Sequence, residues 1–164
     1  MARPIQRVLV LVDGTEESIA AAQYAILLAG FSGAELYGAY VINTRALNEL
    51  LKTRIFVEAE EEEYEQDLRS DADRYLRHVQ DLAEKKGVAI ETLTASGSVH
   101  QEVVKMVREH DIDLLVLGEL AHARSRRDEF YNESERTMRS VGCSVLIVKD
   151  QQRVWDLFEY ETEE

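Results

Sequence analysis

The chain has 164 residues, 45% of them hydrophobic, and a formal net charge of -13, which is enough for one domain with a real core and excludes general disorder. A field of that sign repels nucleic acid and anionic membrane surfaces, and no basic patch is large enough to reverse it locally, so neither is an expected partner. No apolar stretch has the length of a bilayer span, the opening Met1-Ala2-Arg3-Pro4 leads into a strand rather than a signal peptide, and the single Cys143 has no partner for an internal disulfide. A soluble, cytoplasmic protein without a structural metal is expected, since four scattered histidines show no zinc spacing.

The run Arg7-Val8-Leu9-Val10-Leu11-Val12 reads as a strand covered on both faces, at the centre of a sheet. Thr15 is the expected cap of the next helix, with Glu16 and Glu17 in its first turn and Ile19, Ala22, Ile26 and Ala29 as its inner stripe. Gly30 and Gly33 mark its exit. A second strand is predicted over Leu36 to Ile42. The segment Asn43 to Val57 is too apolar at Leu47, Leu50, Leu51, Ile55 and Phe56 for a free loop, and reads as a short helix or lid.

Glu58 to Lys86 is the longest helical pattern, its apolar residues Tyr64, Leu68, Ala72, Tyr75, Val79 and Leu82 or Ala83 recurring at steps of three and four. Its acidic start is a solvated helix end rather than a carboxylate pair, because adjacent helical positions point apart. Val88 to Thr94 gives a third strand, Ser98 to Gln101 has capping-box spacing for a helix reaching Glu109, and Leu114 to Leu117 gives a fourth strand. Asn132 with Glu135 opens a further helix, and Val145 to Val148 is a fifth strand. Strand alternating with helix throughout implies an α/β domain with a mostly parallel sheet and right-handed crossovers. Residues 1–150 form that domain, and 151–164 an acidic, aromatic tail expected to dock on its own domain or across a dimer.

Ligands of such folds sit beyond the carboxyl ends of the strands. Here those ends are Asp13-Gly14-Thr15-Glu16-Glu17-Ser18 and Gly118. No G-x-G-x-x-G follows the first strand, and neither a Walker lysine motif nor a G-x-S-x-G elbow occurs, which removes dinucleotide reduction, P-loop hydrolysis and serine hydrolase chemistry. Cys143 reads as a small packed side chain, and His122 lacks a visible partner for acid–base work.

The start Val10 to Ser18, the turn Ser96-Gly97-Ser98-Val99-His100-Gln101-Glu102-Val103-Val104, the strand Asp113 to Gly118 and the end Cys143 to Val148 occur in an order and spacing that resemble the universal stress protein family. The resemblance covers Val8 to Val148. It implies a three-layer domain with a five-stranded parallel sheet of order 3-2-1-4-5, helices on both faces, and a homodimer whose final strands Val145, Leu146, Ile147 and Val148 pair across a two-fold axis. Such pairing hides an edge that otherwise invites uncontrolled association.

Members of the family that hold ATP carry G-x2-G-x9-G-[ST] after the fourth strand. The matching positions here are Gly118, Ala121, Tyr131 and Asn132, so one of three glycines survives. Phosphates need converging backbone N–H groups, and a Cβ blocks that approach. Asp128, Glu129 and Glu133 are expected to add repulsion. By resemblance the cofactor-binding positions are Asp13, Val41, Leu117, Gly118, Asn132 and Ser134, although Asp13 serves equally to brace its turn and Val41 to fill its strand. No cofactor is expected. The readings to separate are a non-catalytic stress-response module acting through an unidentified protein partner, an ATP-binding switch using Arg124, Arg126 and Arg127 in place of the glycines, and a slow ATP-hydrolysing enzyme.

Overall fold

A computed structural model describes residues 3–44, 58–120 and 133–162. Five strands, β1 (Arg7–Leu11), β2 (Glu35–Asn43), β3 (Ile90–Gly97), β4 (Leu114–Gly118) and β5 (Ser144–Val148), form one sheet of order β3-β2-β1-β4-β5. Every neighbouring pair is parallel. The helices are α1 (Glu16–Ser32), α2 (Glu58–Lys85), α3 (Val99–Glu109), α4 (Glu133–Ser140) and α5 (Gln151–Thr162).

The pleat divides the core in two. Val8, Val10 and Val12 point to one face, where α1, α2 and α5 cover them, and Leu9 and Leu11 point to the other, beneath α3. All but one of these five residues are fully inaccessible, which is why the first strand reads as an unbroken apolar run. β3 runs Ile90–Gly97, so it begins two residues and ends three residues later than the predicted Val88 to Thr94. Its extent follows pairing with β2, from Leu36 opposite Ile90 to Asn43 opposite Gly97, a long-range constraint that local periodicity does not carry.

α1 begins at Thr15, whose hydroxyl accepts the Ser18 N–H at 3.1 Å, and ends at Gly33 in the left-handed region, φ 75°. Gly30 lies inside the helix, not at its exit. Ser18, Ala20, Ala21, Ala22, Ala25, Ile26 and Ala29 are buried, while Ile19, Tyr24, Leu27 and Leu28 also pack against the core. A helix apolar on all sides needs cover on its outer side. α5 supplies some of it: Val154 and Phe158, one turn apart, are each 2% exposed and join the cluster that contains α1. Lys86, just past α2, donates to the Phe158 carbonyl and lies over its ring at 4.5 Å. On α2 the buried stripe is Ala72, Leu76, Val79, Leu82 and Ala83, with Tyr64 exposed. Of the segment Asn43 to Val57 expected as a short helix or lid, Asn43 ends β2 and residues 45–57 lie outside the described residues.

Candidate functional site at the carboxyl ends of β1 and β4

The ends of β1 and β4 bring Asp13, Leu117, Gly118 and Ser134 around one cleft, with Glu17 and Glu119 on its rim. It measures about 20 Å³ among the described residues, room for about one water molecule. Three acidic residues, Asp13, Glu17 and Glu119, are among those that line it, and no lysine or arginine among the described residues is.

The backbone explains the narrowness. A Cβ on Gly118 would stand 2.5 Å from the Glu17 carbonyl oxygen and 2.9 Å from the Ser18 nitrogen. The glycine therefore lets the first turn of α1 lie directly against the end of β4. Gly14 takes φ +85°, and the Tyr75 ring lies 2.8 Å from where its Cβ would be, closing the turn from the α2 side. Tyr75 in turn lies parallel to Tyr40, ring centroids 6.2 Å apart. Burial raises the Tyr40 pKa, and the nearby Asp13 carboxylate raises it further.

Asp13 is already engaged. Its Oδ1 accepts the Thr15 N–H at 3.0 Å and the Thr15 hydroxyl at 2.6 Å, while its own N–H donates to Ser18 Oγ at 3.2 Å. This Asx turn fixes the strand-to-helix corner. Val41 is buried on β2 within the cluster that holds Leu117, and it does not line the cleft. Ala121, His122, Arg124, Arg126, Arg127, Tyr131 and Asn132 lie outside the described residues.

Sequence reasoning missed one constellation. Glu133 Oε2 lies 3.1 Å from His100 Nδ1, and its Oε1 lies 3.6 Å from the Arg136 guanidinium. Glu133 was expected only to add repulsion; here it is held by two basic groups, its side chain 13% exposed. Ser98 is the N-cap of α3, yet its hydroxyl makes no capping bond and contacts His100 Nδ1 at 3.1 Å. The expected capping box is therefore not closed by Ser98. Serine, histidine and glutamate together resemble a catalytic relay, but both partners meet the same ring nitrogen. A relay needs the base to accept from the nucleophile on one nitrogen and donate to the acid from the other. The trio is a tether between the starts of α3 and α4. The Glu133–Arg136 spacing of three is a readable helical pair, whereas the reach to His100 is not.

Cys143 precedes β5 and packs beside the α3-side core; burial pushes its thiol pKa up, with Asp113 adding to the rise. That environment makes a weaker nucleophile, not an activated one. Among the described residues no group of three or more His, Cys, Asp or Glu is placed to hold a metal ion, and no helix is long and apolar enough to cross a membrane.

A parallel five-stranded sheet with this order and a cleft at the β1 and β4 ends defines a Rossmann-like α/β protein. Residues 4–149 match the model of the universal stress protein family, and the chain belongs to that family. A universal stress protein of Methanocaldococcus jannaschii is 27% identical over 144 residues, covering 88% of this chain and 82% of the relative. Among solved structures, a universal stress protein family member from Burkholderia pseudomallei superposes with a TM-score of 0.69 at 20% identity, covering 90% of this chain and 98% of that one. A universal stress protein in complex with cAMP superposes with a TM-score of 0.65 at 22% identity, covering 88% and 97%.

Proposed function

We propose that this member of the universal stress protein family is a non-catalytic, cytoplasmic regulatory module that works as a homodimer, through contacts with a protein partner, and does not hold ATP. The observation that carries this reading is the use already made of the cleft's own parts: Gly118 accommodates the Glu17 backbone and Asp13 braces Thr15. The three acidic residues that line the cleft oppose a triphosphate, and the sequence carries Ala121 and Tyr131 where ATP-holding relatives have glycine. Isothermal titration with magnesium ATP should give no heat of micromolar binding; saturable micromolar binding would overturn the reading.

The homodimer joins β5 of two copies. β5 is an edge strand whose partner among the described residues is β4 alone, which leaves its outer backbone groups for another strand. Replacing Ile147 with glutamate sets like charges against each other across the two-fold axis and should yield the monomer mass in native mass spectrometry. An unchanged dimer mass removes β5 from the interface.

A second reading draws on the relative solved with cAMP: a nucleotide switch in which Arg124, Arg126 or Arg127 replaces the missing glycines as phosphate donor. It requires nucleotide binding that disappears when the three arginines are changed to alanine. Binding that survives their loss excludes it.

A further inference from the structure

We propose that His100 is a proton-operated toggle: its charged ring ties the start of α4 to α3, its neutral ring releases it, and pH thereby sets one wall of the cleft. The observation behind this is a double claim on one ring nitrogen. Ser98 Oγ and Glu133 Oε2 each lie 3.1 Å from His100 Nδ1. A carboxylate only accepts, so the Glu133 contact needs a proton on Nδ1. A single N–H points at one oxygen, and the serine hydroxyl, which can also donate, suits the bare nitrogen instead. Each partner has another use when it loses the ring. Glu133 Oε1 lies 3.6 Å from the Arg136 guanidinium, and Ser98 is the N-cap of α3 with its capping bond unmade. Neither state therefore leaves a polar group orphaned.

The His100 side chain is 20% and that of Glu133 13% exposed, so water and salt screen their contact less than a surface pair. The other ionisable groups around it, among the described residues, are quickly named. On α3, Glu102 lies beside Gly97; on α4, Arg136 faces Glu133, and Glu135 pairs with Arg139. The strands under α3, β2 and β3, turn Val41, Leu93 and Ala95 to it, none of which titrates. Tyr37 and Glu91 interact with each other, and Tyr37 meets His110, at the far end of α3. Asp13, Glu17 and Glu119 share the cleft with Ser134. The state of the ring reaches that cleft through the backbone: the fully buried Thr137 donates from its hydroxyl to the Glu133 carbonyl at 2.7 Å, and the residue after Glu133 is Ser134. Imidazole changes charge between about pH 5 and 8. Rising pH across that range hands Nδ1 to Ser98 and leaves the first turn of α4 to Arg136.

The toggle needs neither ATP nor a second copy, so it stands or falls apart from the function proposed above. Nitrogen-15 spectra of the assigned His100 ring in the full chain, without ligand, test it. At about pH 5 both ring nitrogens should carry protons, and at about pH 8 the remaining proton should sit on Nε2 with Nδ1 bare. A neutral ring that keeps its proton on Nδ1 overturns the toggle, because Glu133 is then never released. Hydrogen exchange gives the mechanical readout. After correction for the intrinsic rates, the amides of residues 137–140 should be about fivefold better protected at the acidic end of the range than at the alkaline end. Ser98→Ala removes the competitor and should erase most of that difference with the fold intact. Equal protection at both ends, or a difference that Ser98→Ala leaves unchanged, also overturns it.

Discussion

The Glu17 carbonyl oxygen lies 2.5 Å from the place a side-chain carbon on Gly118 would occupy. Neither atom belongs to a flexible side chain, so a methyl group at 118 must push β4 and α1 apart. Gly118→Ala should therefore destabilise the fold by about 3 kcal/mol, the upper part of the usual overpacking range. Urea denaturation measures it. A loss under half of that would show that the contact relaxes without strain.

His100 and Glu133 should behave as a coupled pair. In a cycle of His100→Ala, Glu133→Gln and the double variant, the interaction energy should come to about 1 kcal/mol, the scale of a partly screened, charge-assisted contact. Additive losses would mean that the tether between α3 and α4 contributes nothing to stability.

Phe158→Ala should cost about 3 kcal/mol, because a fully buried ring is lost from the cover over α1. Ending the chain after Asp150 removes Val154 as well and should lower the melting temperature further. Calorimetry on the two variants decides it; an unchanged melting temperature for the shortened chain would show that α5 is a passive appendage.

Alkaline pH should weaken the protein through Tyr40. Its folded pKa lies above the unfolded value of 10.0, mainly through burial. Over the window that opens near that value, the unfolded chain loses its phenolic proton first and binds fewer protons than the native one, so stability falls as pH rises. Below it the term is fully present. Tyr40→Phe should flatten this part of the stability curve, as followed by urea midpoints across the alkaline range.

The strand-helix alternation was legible because β1 and β4 are short, doubly covered and continuous in apolar residues, and because Thr15 and Gly33 are local signals for the two ends of α1. What local patterns carried less well were features set by distant partners. The start of β3 is decided by register against β2, and Leu76 is buried although the stripe read through Tyr75 passes it by. At the cleft, the sequence placed Asp13, Leu117, Gly118 and Ser134, which the fold brings together. It could not tell that Gly118 is consumed by Glu17, since that depends on the approach of two elements about a hundred residues apart. Glu133 read as a loose anion because its histidine partner is 33 positions upstream.

Synthesis runs from the amino terminus, and α5 leaves the ribosome after the other four helices described. Throughout the production of more than a hundred intervening residues, α1 exists without the helix that packs against it from the far end of the described chain. A nascent chain therefore carries α1 with part of its apolar surface uncovered until α5 has been made, an exposure of the kind that invites aggregation during synthesis.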